Sequence, residues 1–235
     1  MASHTEITRQ NIAYYNAIAP GYDAILEEDA ANAAVRSRVA EVFTSLVRGG
    51  CIIDFGGGTG QDSKWLANRR YHVIFCEPSP AMREIAIKRS RAELPDASIL
   101  FLDDNESDFR AWTSSFPLER RVDAVLANFA VMNCIPDLDL VFDRLAAVVK
   151  PGGWVVALIL ENGLGKRLRS NFRSTLTSLI TGEPVGFFVD YNNSRQLVYI
   201  HSMRNIRRAV RNNFNFSHQE QLYGPGFRLI CLQRR

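Results

Sequence analysis

The residues with the most chemical content are four glycines in a segment that also carries two carboxylates. Residues 51–62 read Cys-Ile-Ile-Asp-Phe-Gly-Gly-Gly-Thr-Gly-Gln-Asp, so an apolar run meets Asp54 and then a loop that contains Gly56, Gly58 and Gly60. Glycine lets a backbone turn sharply and lets a ligand approach it closely. In open α/β sheets, ligands bind where such a strand ends and its helix begins. The segment therefore predicts a strand, a ligand-binding turn and a helix.

The spacing of these glycines disfavours two common phosphate-binding loops. The dinucleotide pattern Gly-x-Gly-x-x-Gly fails from Gly56 because Gln61 stands where the third glycine is required, and from Gly58 because Ser63 stands there. A P-loop has Lys and then Ser or Thr after its last glycine, but Gln61 follows Gly60. The remaining pattern is Asp-x-Gly-x-Gly-x-Gly.

Further polar residues follow apolar segments along the chain. Residues 71–76 predict a second strand that ends at Glu77, about 20 residues beyond the loop, where a carboxylate can accept hydrogen bonds from ribose hydroxyls. Three more strands are predicted over 98–102, 122–127 and 154–160, the last one after Lys-Pro-Gly-Gly. The polar or aromatic residues that follow the third and fourth strands are Asp103, Asp104, Asn128 and Phe129.

In this order the motifs resemble those of the class I, Rossmann-like S-adenosylmethionine-dependent methyltransferases. The resemblance covers residues 51–160 and implies an α/β fold: a doubly wound, mostly parallel seven-stranded sheet with its last strand antiparallel. It also implies that S-adenosylmethionine binds across the ends of the first three strands. The implied cofactor-binding residues are Tyr22, Asp54, Gly56, Gly58, Gly60, Glu77, Pro78, Met82, Asp103, Asp104, Asn128 and Phe129.

The resemblance also implies individual roles. Glu77 would bind both ribose hydroxyls, and Met82 would pack on the adenine. A carboxylate after the third strand would accept a hydrogen bond from the adenine amino group; Asp103 is preferred and Asp104 is the alternative. Tyr22 would close over the cofactor.

The chain is expected to form one domain over 1–235 with four parts. Residues 1–46 are predicted to form a helical lid that is broken at Pro20-Gly21. Within this lid, Tyr14 either closes over the cofactor or packs on the domain, and the sequence favours neither alternative. Residues 51–160 form the cofactor-binding core. Residues 162–200 are expected to form an inserted cap over the substrate, and 201–235 a closing helix and strands.

Composition excludes several classes of protein. The 235 residues are 46% hydrophobic and 23% charged, near the averages for globular chains. No apolar run approaches the roughly 18 residues of a membrane span and the first residues do not resemble a signal peptide, so a cytoplasmic location is expected. The four cysteines are far apart and are expected to be reduced, with no metal bound.

Charge is unevenly distributed along the sequence. Residues 161–235 hold 12 Lys and Arg against 4 Asp and Glu, although the whole chain has a formal net charge of only +3. Arg204, Arg207, Arg208 and Arg211 would share one face of a helix over 202–212. This face is either simply solvated, or it binds an anion on the substrate, or it binds the phosphates of a nucleic acid.

The leading functional hypothesis is direct methyl transfer to a small, possibly anionic metabolite. The alternatives are an RNA or other nucleic-acid methyltransferase and a non-catalytic protein that binds S-adenosylmethionine. Families that methylate nucleobase amino groups carry Asn or Asp followed by Pro-Pro and an aromatic residue, whereas Asn128 is followed by Phe-Ala-Val, so this chemistry is disfavoured. Pyrimidine C5 methyltransferases generally carry a nucleophilic cysteine in a Pro-Cys pair, and Cys134 has no adjacent proline, so that chemistry is disfavoured too. No catalytic residue is assigned; His201, just beyond a predicted strand, is the candidate for a general base. The oligomeric state is left open.

Overall fold

The computed structural model describes residues 4–27, 30–161, 184–191, 194–222 and 226–235. Within these ranges a central sheet is covered on both faces by helices. Two clusters of buried side chains fill the space on the two faces, one built around Trp112 and Phe142 and the other around Phe43. The predicted class, α/β with a mostly parallel sheet, is confirmed.

The helices and strands alternate along the core of the chain. The helices are α1 His4–Ile18, α2 Tyr22–Glu27, α3 Ala30–Leu46, α4 Ser63–Asn68, α5 Pro80–Glu93, α6 Leu138–Val148 and α7 Met203–Val210. The strands are β1 Cys51–Phe55, β2 His72–Cys76, β3 Ile99–Phe101, β4 Val122–Ala127, β5 Val149–Leu160, β6 Val185–Tyr191, β7 Ser194–Ile200, β8 Phe214–Leu222 and β9 Phe227–Arg234. Short 3-10 turns cover Ala19–Gly21, Phe109–Ala111 and Val131–Cys134.

Seven strands form the sheet in the order β3-β2-β1-β4-β5-β9-β8. The pairs among β1 to β5 are parallel, whereas β9 is antiparallel to both β5 and β8. The prediction that the last strand is antiparallel is therefore confirmed. Chain order reverses direction between β1 and β4, and the carboxyl ends of these two strands create the crevice in which open α/β sheets bind ligands.

Of the strands predicted over 71–76, 98–102 and 154–160, the first two are shorter in the structure and the third is longer. The second strand begins at His72 because the preceding Tyr71 turns inward, where its hydroxyl donates a hydrogen bond to the Val47 carbonyl at 2.5 Å. The third strand ends at Phe101, one residue before the predicted end, and Leu102 is buried beyond it. The fifth begins at Val149, since the Lys-Pro-Gly-Gly segment is itself extended.

The N-terminal helices pack beside the carboxyl ends of the strands. Asn16 on α1 accepts hydrogen bonds from Ser79 Oγ at 2.7 Å and Ala81 N at 3.2 Å, which fixes α1 to the start of α5. The chain is broken at Ala19–Gly21, as the sequence predicts, and then enters α2. Tyr14 is buried against Ile18 and Met82, which is the packing alternative for this residue.

The second half of the predicted cap contains a two-stranded antiparallel hairpin, β6–β7. Asn11 ties this hairpin to α1 because its side chain donates to the Leu197 carbonyl at 3.1 Å and accepts from the Leu197 N–H at 3.0 Å. The first part of the predicted cap, 162–183, lies outside the described residues. No helix in the described ranges is long and apolar enough to cross a membrane.

Candidate active site

A cavity of about 440 Å³ opens at the carboxyl ends of β1, β2 and β4. Its walls come from the glycine loop after β1, the residues after β2, the loop before α6 and the helices α1 to α3. Of the residues that the sequence predicts for a site, those that line the cavity are Tyr22, Gly56, Gly58, Glu77, Pro78, Met82, Asp104, Asn128 and Phe129. The topology thus assembles residues that are far apart in the chain.

Two glycines explain the path of the loop after β1. Gly56 has a φ of +72°, and a Cβ there would lie 2.6 Å from a methyl carbon of Val131. Gly58 has a φ of +58°, but the nearest atom to an added Cβ would be Tyr22 Cε1, 3.6 Å away. Residues other than glycine rarely adopt such backbone angles. Gly56 is therefore needed for packing, whereas Gly58 presents bare backbone to the cavity.

Glu77 connects the loop after β1 to the start of α5. Its Oε2 accepts a hydrogen bond from the Gly58 N–H at 2.9 Å, and its Oε1 accepts one from the Ser79 N–H at 2.7 Å. Burial raises the pKa of Glu77 to about 7, although the two N–H groups act in the opposite direction. Each carboxylate oxygen has a second lone pair. The side chain can therefore accept two more hydrogen bonds from a ligand in the cavity.

Asp54 and Gly60 lie behind the cavity wall. The Asp54 side chain is 1% exposed, and its Oδ2 has no hydrogen-bond partner among the described residues. Burial raises the pKa of Asp54, and the neighbouring Asp62 carboxylate adds to the effect. Gly60 packs against α5, where a Cβ would lie 3.0 Å from Ala86 Cβ. Neither residue lines the cavity, so neither is positioned for direct contact with a ligand bound in it.

Arg36 on α3 occupies the cavity wall beside the loop. Its Nη1 pairs with Asp62 Oδ1 at 2.6 Å and its Nη2 donates to Gln61 Oε1 at 2.7 Å. The guanidinium also lies 4.5 Å from the centre of the Phe129 ring. No sequence pattern indicates a site role for Arg36, because an arginine on an amphipathic helix is usually solvated.

A second set of contacts fastens α2 to the same loop. Asp23 accepts hydrogen bonds from Thr59 Oγ1 at 2.5 Å and Gln61 Nε2 at 2.8 Å, and it forms a salt bridge with Arg89 of α5. These hydrogen bonds lower the pKa of Asp23 despite its partial burial. The neighbouring Tyr22 is thereby held over Gly58. The resemblance points to Tyr22, but not to the partners of the neighbouring Asp23.

The residues after β4 adopt an unusual backbone. Phe129 and Ala130 have φ angles of +47° and +64°, which are costly for residues other than glycine. Asn128 donates from Nδ2 to Asp62 Oδ2 at 2.9 Å, and its Oδ1 accepts from the Phe129 N–H at 3.0 Å. The left-handed turn brings this segment back to the cavity, where Asn128 and Phe129 both form part of the wall.

The preferred residue after β3 is not at the cavity. Asp103 Oδ1 accepts hydrogen bonds from the backbone N–H groups of Asn105 at 2.8 Å and Glu106 at 2.9 Å, so its carboxylate stabilises a local turn. Asp104 lines the cavity and forms a salt bridge with Arg83. Of the two residues, the structure thus brings the alternative, Asp104, to the site.

His201 is also separated from the cavity. It is 4% exposed, its Nε2 lies 2.9 Å from the Ile135 carbonyl oxygen, and its ring is beside Tyr199. It is not among the cavity-lining residues. The hypothesis that His201 is a general base is therefore not supported by its position, which suits a structural role.

The arginines of α7 point to solvent. Arg204, Arg207, Arg208 and Arg211 are exposed, as the helical spacing predicts, and none lines the cavity. Arg207 stacks 5.0 Å from the centre of the Phe216 ring, and Arg208 lies 3.8 Å from Asp139. Lys166, Arg167 and Arg169, at the start of the predicted cap, are alternative candidates for binding an anion on the substrate. They lie outside the described residues.

The described cavity lining is rich in carboxylates. Five of its residues are acidic and two are arginines. Both arginines are already paired, Arg36 with Asp62 and Arg110 with Asp108. Such a lining complements a positively charged ligand better than an anion.

Comparison with known proteins identifies the family. A family model described as "Methyltransferase domain" matches residues 26–220, so the chain belongs to the methyltransferase-domain family. The tRNA 5-carboxymethoxyuridine methyltransferase of Escherichia coli (strain K12) is 28% identical over 133 residues, which are 57% of this chain and 48% of that protein. The match thus spans about half the length of this curated relative.

Solved structures confirm the Rossmann-like methyltransferase fold. The DhpI–SAH complex superposes with a TM-score of 0.71 at 19% identity and covers 99% of this chain and 98% of that one. The 1,6-didemethyltoxoflavin-N1-methyltransferase of Burkholderia thailandensis superposes with a TM-score of 0.70 at 13% identity, covering 100% and 91%. At these identities the similarity concerns the fold.

Proposed function

We propose that the chain is an S-adenosylmethionine-dependent methyltransferase that transfers a methyl group to a small molecule by direct displacement. The observation that carries this proposal is the joint position of Gly58 and Glu77, whose bare backbone and buried carboxylate face one cavity at the ends of β1 and β2. Membership of the methyltransferase-domain family supports it.

The residues at the cavity suit the cofactor. Glu77 is placed to accept hydrogen bonds from the ribose hydroxyls, and the bare backbone of Gly58 leaves room for the methionyl part. Met82 and Pro78 provide an apolar surface for the adenine, with Asp104 near its polar edge. The carboxylates of the lining complement a positive sulfonium charge.

Arg36 and Tyr22 complete the proposed cofactor site. Arg36 is the cationic side chain beside the glycine loop and can pair with the methionyl carboxylate, while Phe129 supports its guanidinium. Tyr22 covers Gly58 and carries a hydroxyl at the cavity. Asp54 lies behind the loop and does not line the cavity.

When bound, S-adenosylmethionine supplies an electrophilic methyl group on a sulfonium. In-line displacement needs chiefly a nucleophile held about 3 Å from that carbon in the correct direction. The residues of this chain can provide that orientation and exclude water, because α1 to α3 cover the cavity. A general base is not required for every acceptor, and no described residue is assigned this role.

RNA is the second candidate substrate. The relative from Escherichia coli is named for a modified tRNA nucleoside, and the exposed arginines of α7 form a basic surface. Against this candidate, the arginines lie away from the cavity lining. An anionic small substrate is also less well supported, since Arg36 is used by the proposed cofactor site and Arg110, the other arginine of the described lining, is paired with Asp108. A cytoplasmic location remains a prediction.

Two measurements test this proposal. Calorimetry with S-adenosylhomocysteine should show saturable binding with 1:1 stoichiometry. Methyl-labelled S-adenosylmethionine should then transfer label to a compound in a small-molecule panel and not to bulk tRNA. Absence of binding would contradict the cofactor assignment, whereas label in tRNA alone would replace the small-molecule substrate by RNA.

A further inference from the structure

Three polar side chains from different elements meet at the cavity. Gln196 of β7 donates from Nε2 to Tyr15 Oη at 2.8 Å and to Cys134 Sγ at 3.1 Å, and Tyr15 Oη lies 3.4 Å from Cys134 Sγ. Tyr15 and Cys134 line the cavity, whereas Gln196 is buried behind them. The proposed cofactor contacts use none of these residues.

The hydrogen bonds in this cluster leave one proton for a ligand. Both Nε2 hydrogens of Gln196 are used, one by the Tyr15 oxygen and one by the Cys134 sulfur. The Tyr15 hydroxyl therefore accepts one bond, and among the described residues its own proton has only the Cys134 sulfur, a weak acceptor, within hydrogen-bonding distance. Burial raises the pKa of Tyr15 well above its usual value, so the hydroxyl remains a donor at neutral pH.

The cluster lies beside Tyr22. The Tyr15 ring centre is 6.2 Å from that of Tyr22, and Tyr22 in turn covers Gly58. Cys134 closes the 3-10 turn that follows the residues after β4. Tyr15 is therefore in contact with both Tyr22 of the proposed cofactor site and the turn Val131–Cys134.

In the stretches of chain next to Tyr15 and Cys134, the cavity is lined by the apolar residues Ile12, Ile135, Pro136 and Leu140 and by the polar residues Asn11, Asn16 and Asp137. These polar side chains already have hydrogen-bond partners within the chain. The arginines of the lining are paired with carboxylates. A neutral hydrogen-bond donor among apolar side chains suits a carbonyl oxygen or a ring nitrogen, because a carboxylate would be desolvated there without a cationic partner.

We propose that Tyr15 is an acceptor-binding residue whose hydroxyl donates a hydrogen bond to a carbonyl oxygen or ring nitrogen of a neutral methyl acceptor, and that Gln196 is a positioning residue for Tyr15. This inference rests on the proposed function and specifies its substrate class. It also gives the β6–β7 hairpin a role in substrate choice, because Gln196 belongs to β7 and Asn11 holds the adjacent Leu197.

The test uses the full chain, S-adenosylmethionine and a panel of defined acceptors. The neutral probes are 4-hydroxyquinoline and 2-hydroxypyridine, the anionic probe is citrate and the cationic probe is ethanolamine, with S-adenosylhomocysteine formation as the readout. We expect methylation of a neutral probe. On that probe, Tyr15→Phe should lower kcat/KM about fivefold to tenfold, mainly through KM, because one neutral hydrogen bond is lost. Gln196→Leu should cause a smaller change of the same kind.

Controls separate acceptor binding from folding. The affinity for S-adenosylhomocysteine should stay within about twofold in both variants, since one hydrogen bond to the acceptor is all that is removed. Tyr191→Phe, on the exposed side of the hairpin, is the matched control and should behave as the wild type. An equal loss of cofactor affinity in Tyr15→Phe would show a structural role and overturn the inference.

The remaining outcomes distinguish this inference from the function on which it rests. Unchanged kcat/KM in Tyr15→Phe on a methylated neutral probe overturns the role of Tyr15 and leaves the methyltransferase proposal intact. Preferential methylation of citrate or ethanolamine overturns the neutral acceptor class. A chain that binds S-adenosylhomocysteine but methylates no probe counts against the small-molecule function, and the assignment of Tyr15 falls with it.

Discussion

The Glu77 carboxylate accepts a hydrogen bond from the Gly58 backbone N–H at 2.9 Å. This contact joins the end of β2 to the turn after β1, which are the two places where the sequence carries its strongest signals. One side chain thereby fixes the loop that approaches the ligand and also supplies an acceptor for it. A change at Glu77 should therefore affect both the loop and the ligand.

Glu77→Ala should weaken binding of S-adenosylhomocysteine. Losing hydrogen bonds to a charged acceptor costs about 1.5 to 3 kcal/mol, which is roughly a tenfold to hundredfold change in affinity. Isothermal titration calorimetry measures it. Glu84→Ala on the exposed side of α5 is the control and should bind as the wild type. A change below twofold in Glu77→Ala would remove Glu77 from the ribose site.

The ligand-free protein should lose stability as pH rises through the titration of Glu77. Its pKa is raised from 4.5 to about 7 by burial, so the folded state binds the proton more tightly than the unfolded state. The stabilising contribution is complete below about pH 4.5 and is lost as pH passes 7. For this 6% exposed side chain the loss is about 3 kcal/mol.

Glu77→Gln isolates this contribution because glutamine does not titrate. The free energy of unfolding of the wild type minus that of Glu77→Gln should fall between pH 4.5 and 7.5, as measured by urea denaturation at several pH values. Burial, the main cause of the raised pKa of Asp54, is present in both proteins, so most of that titration cancels in the difference; the Glu77 charge is the smallest of its causes. A difference that is constant with pH, or that rises, contradicts the buried titration.

Gly58→Val should reduce cofactor affinity by more than its cost to stability explains. At a φ of +58° a side chain is strained by roughly 1 to 2 kcal/mol, and the new atoms would also enter the cavity. Gly152→Val is the matched control: Gly152 has a φ of +79° and open space around its Cβ position. Both variants should lower the melting temperature, but only Gly58→Val should impair calorimetric binding. Equal affinities in the two variants would refute the position of the ligand.

Hydrogen exchange in residues 4–27 should slow when S-adenosylhomocysteine binds. The break at Ala19–Gly21 is the expected hinge, and Tyr22 faces the proposed cofactor site across from Gly58. Asp23→Ala removes the contacts to Thr59, Gln61 and Arg89, and should reduce the protection gained on binding. Protection that does not depend on the ligand in the wild type would argue against closure of α1 and α2.

Alanine substitutions of Arg204, Arg207, Arg208 and Arg211 should leave small-molecule methylation unchanged. All four side chains are exposed, and none reaches the cavity. A sharp loss in one variant would indicate that an anionic substrate binds there. Graded losses together with an affinity for tRNA that falls steeply with salt would support the nucleic-acid alternative.

The sequence was sufficient for the sheet and for the residues that directly follow its strands. Apolar runs that end at polar residues are local signals, so β1, β2 and β4 were predicted within one or two residues. The glycine loop was also recognisable, because left-handed backbone at Gly56 and Gly58 leaves a clear compositional trace. The sequence does not show which of these residues face a cavity.

The errors at the site have local physical causes. β3 ends at Phe101, so the chain has already turned when it reaches Asp103, and that carboxylate is used by the turn itself. His201 follows a strand, but its ring is directed to the Ile135 carbonyl and is buried there. Proximity along the sequence does not determine the direction of a side chain.

The contacts between distant segments could not be predicted from the sequence. Arg36 on α3 and Asp62, directly before α4, are 26 positions apart, and nothing in a single sequence indicates that they pair. The same holds for Tyr15, Cys134 and Gln196, which are brought together only when α1, the segment after β4 and β7 pack. Such clusters are properties of tertiary packing.

β9 follows β8 in the chain but lies between β8 and β5 in the sheet. During synthesis, β8 therefore leaves the ribosome before the strand that connects it to the rest of the sheet. Until residues 227–234 are available, β5 has an unpaired edge of hydrophobic residues such as Val156 and Leu158. A nascent chain that stalls before residue 227 would expose this edge to other chains, where it could pair and aggregate.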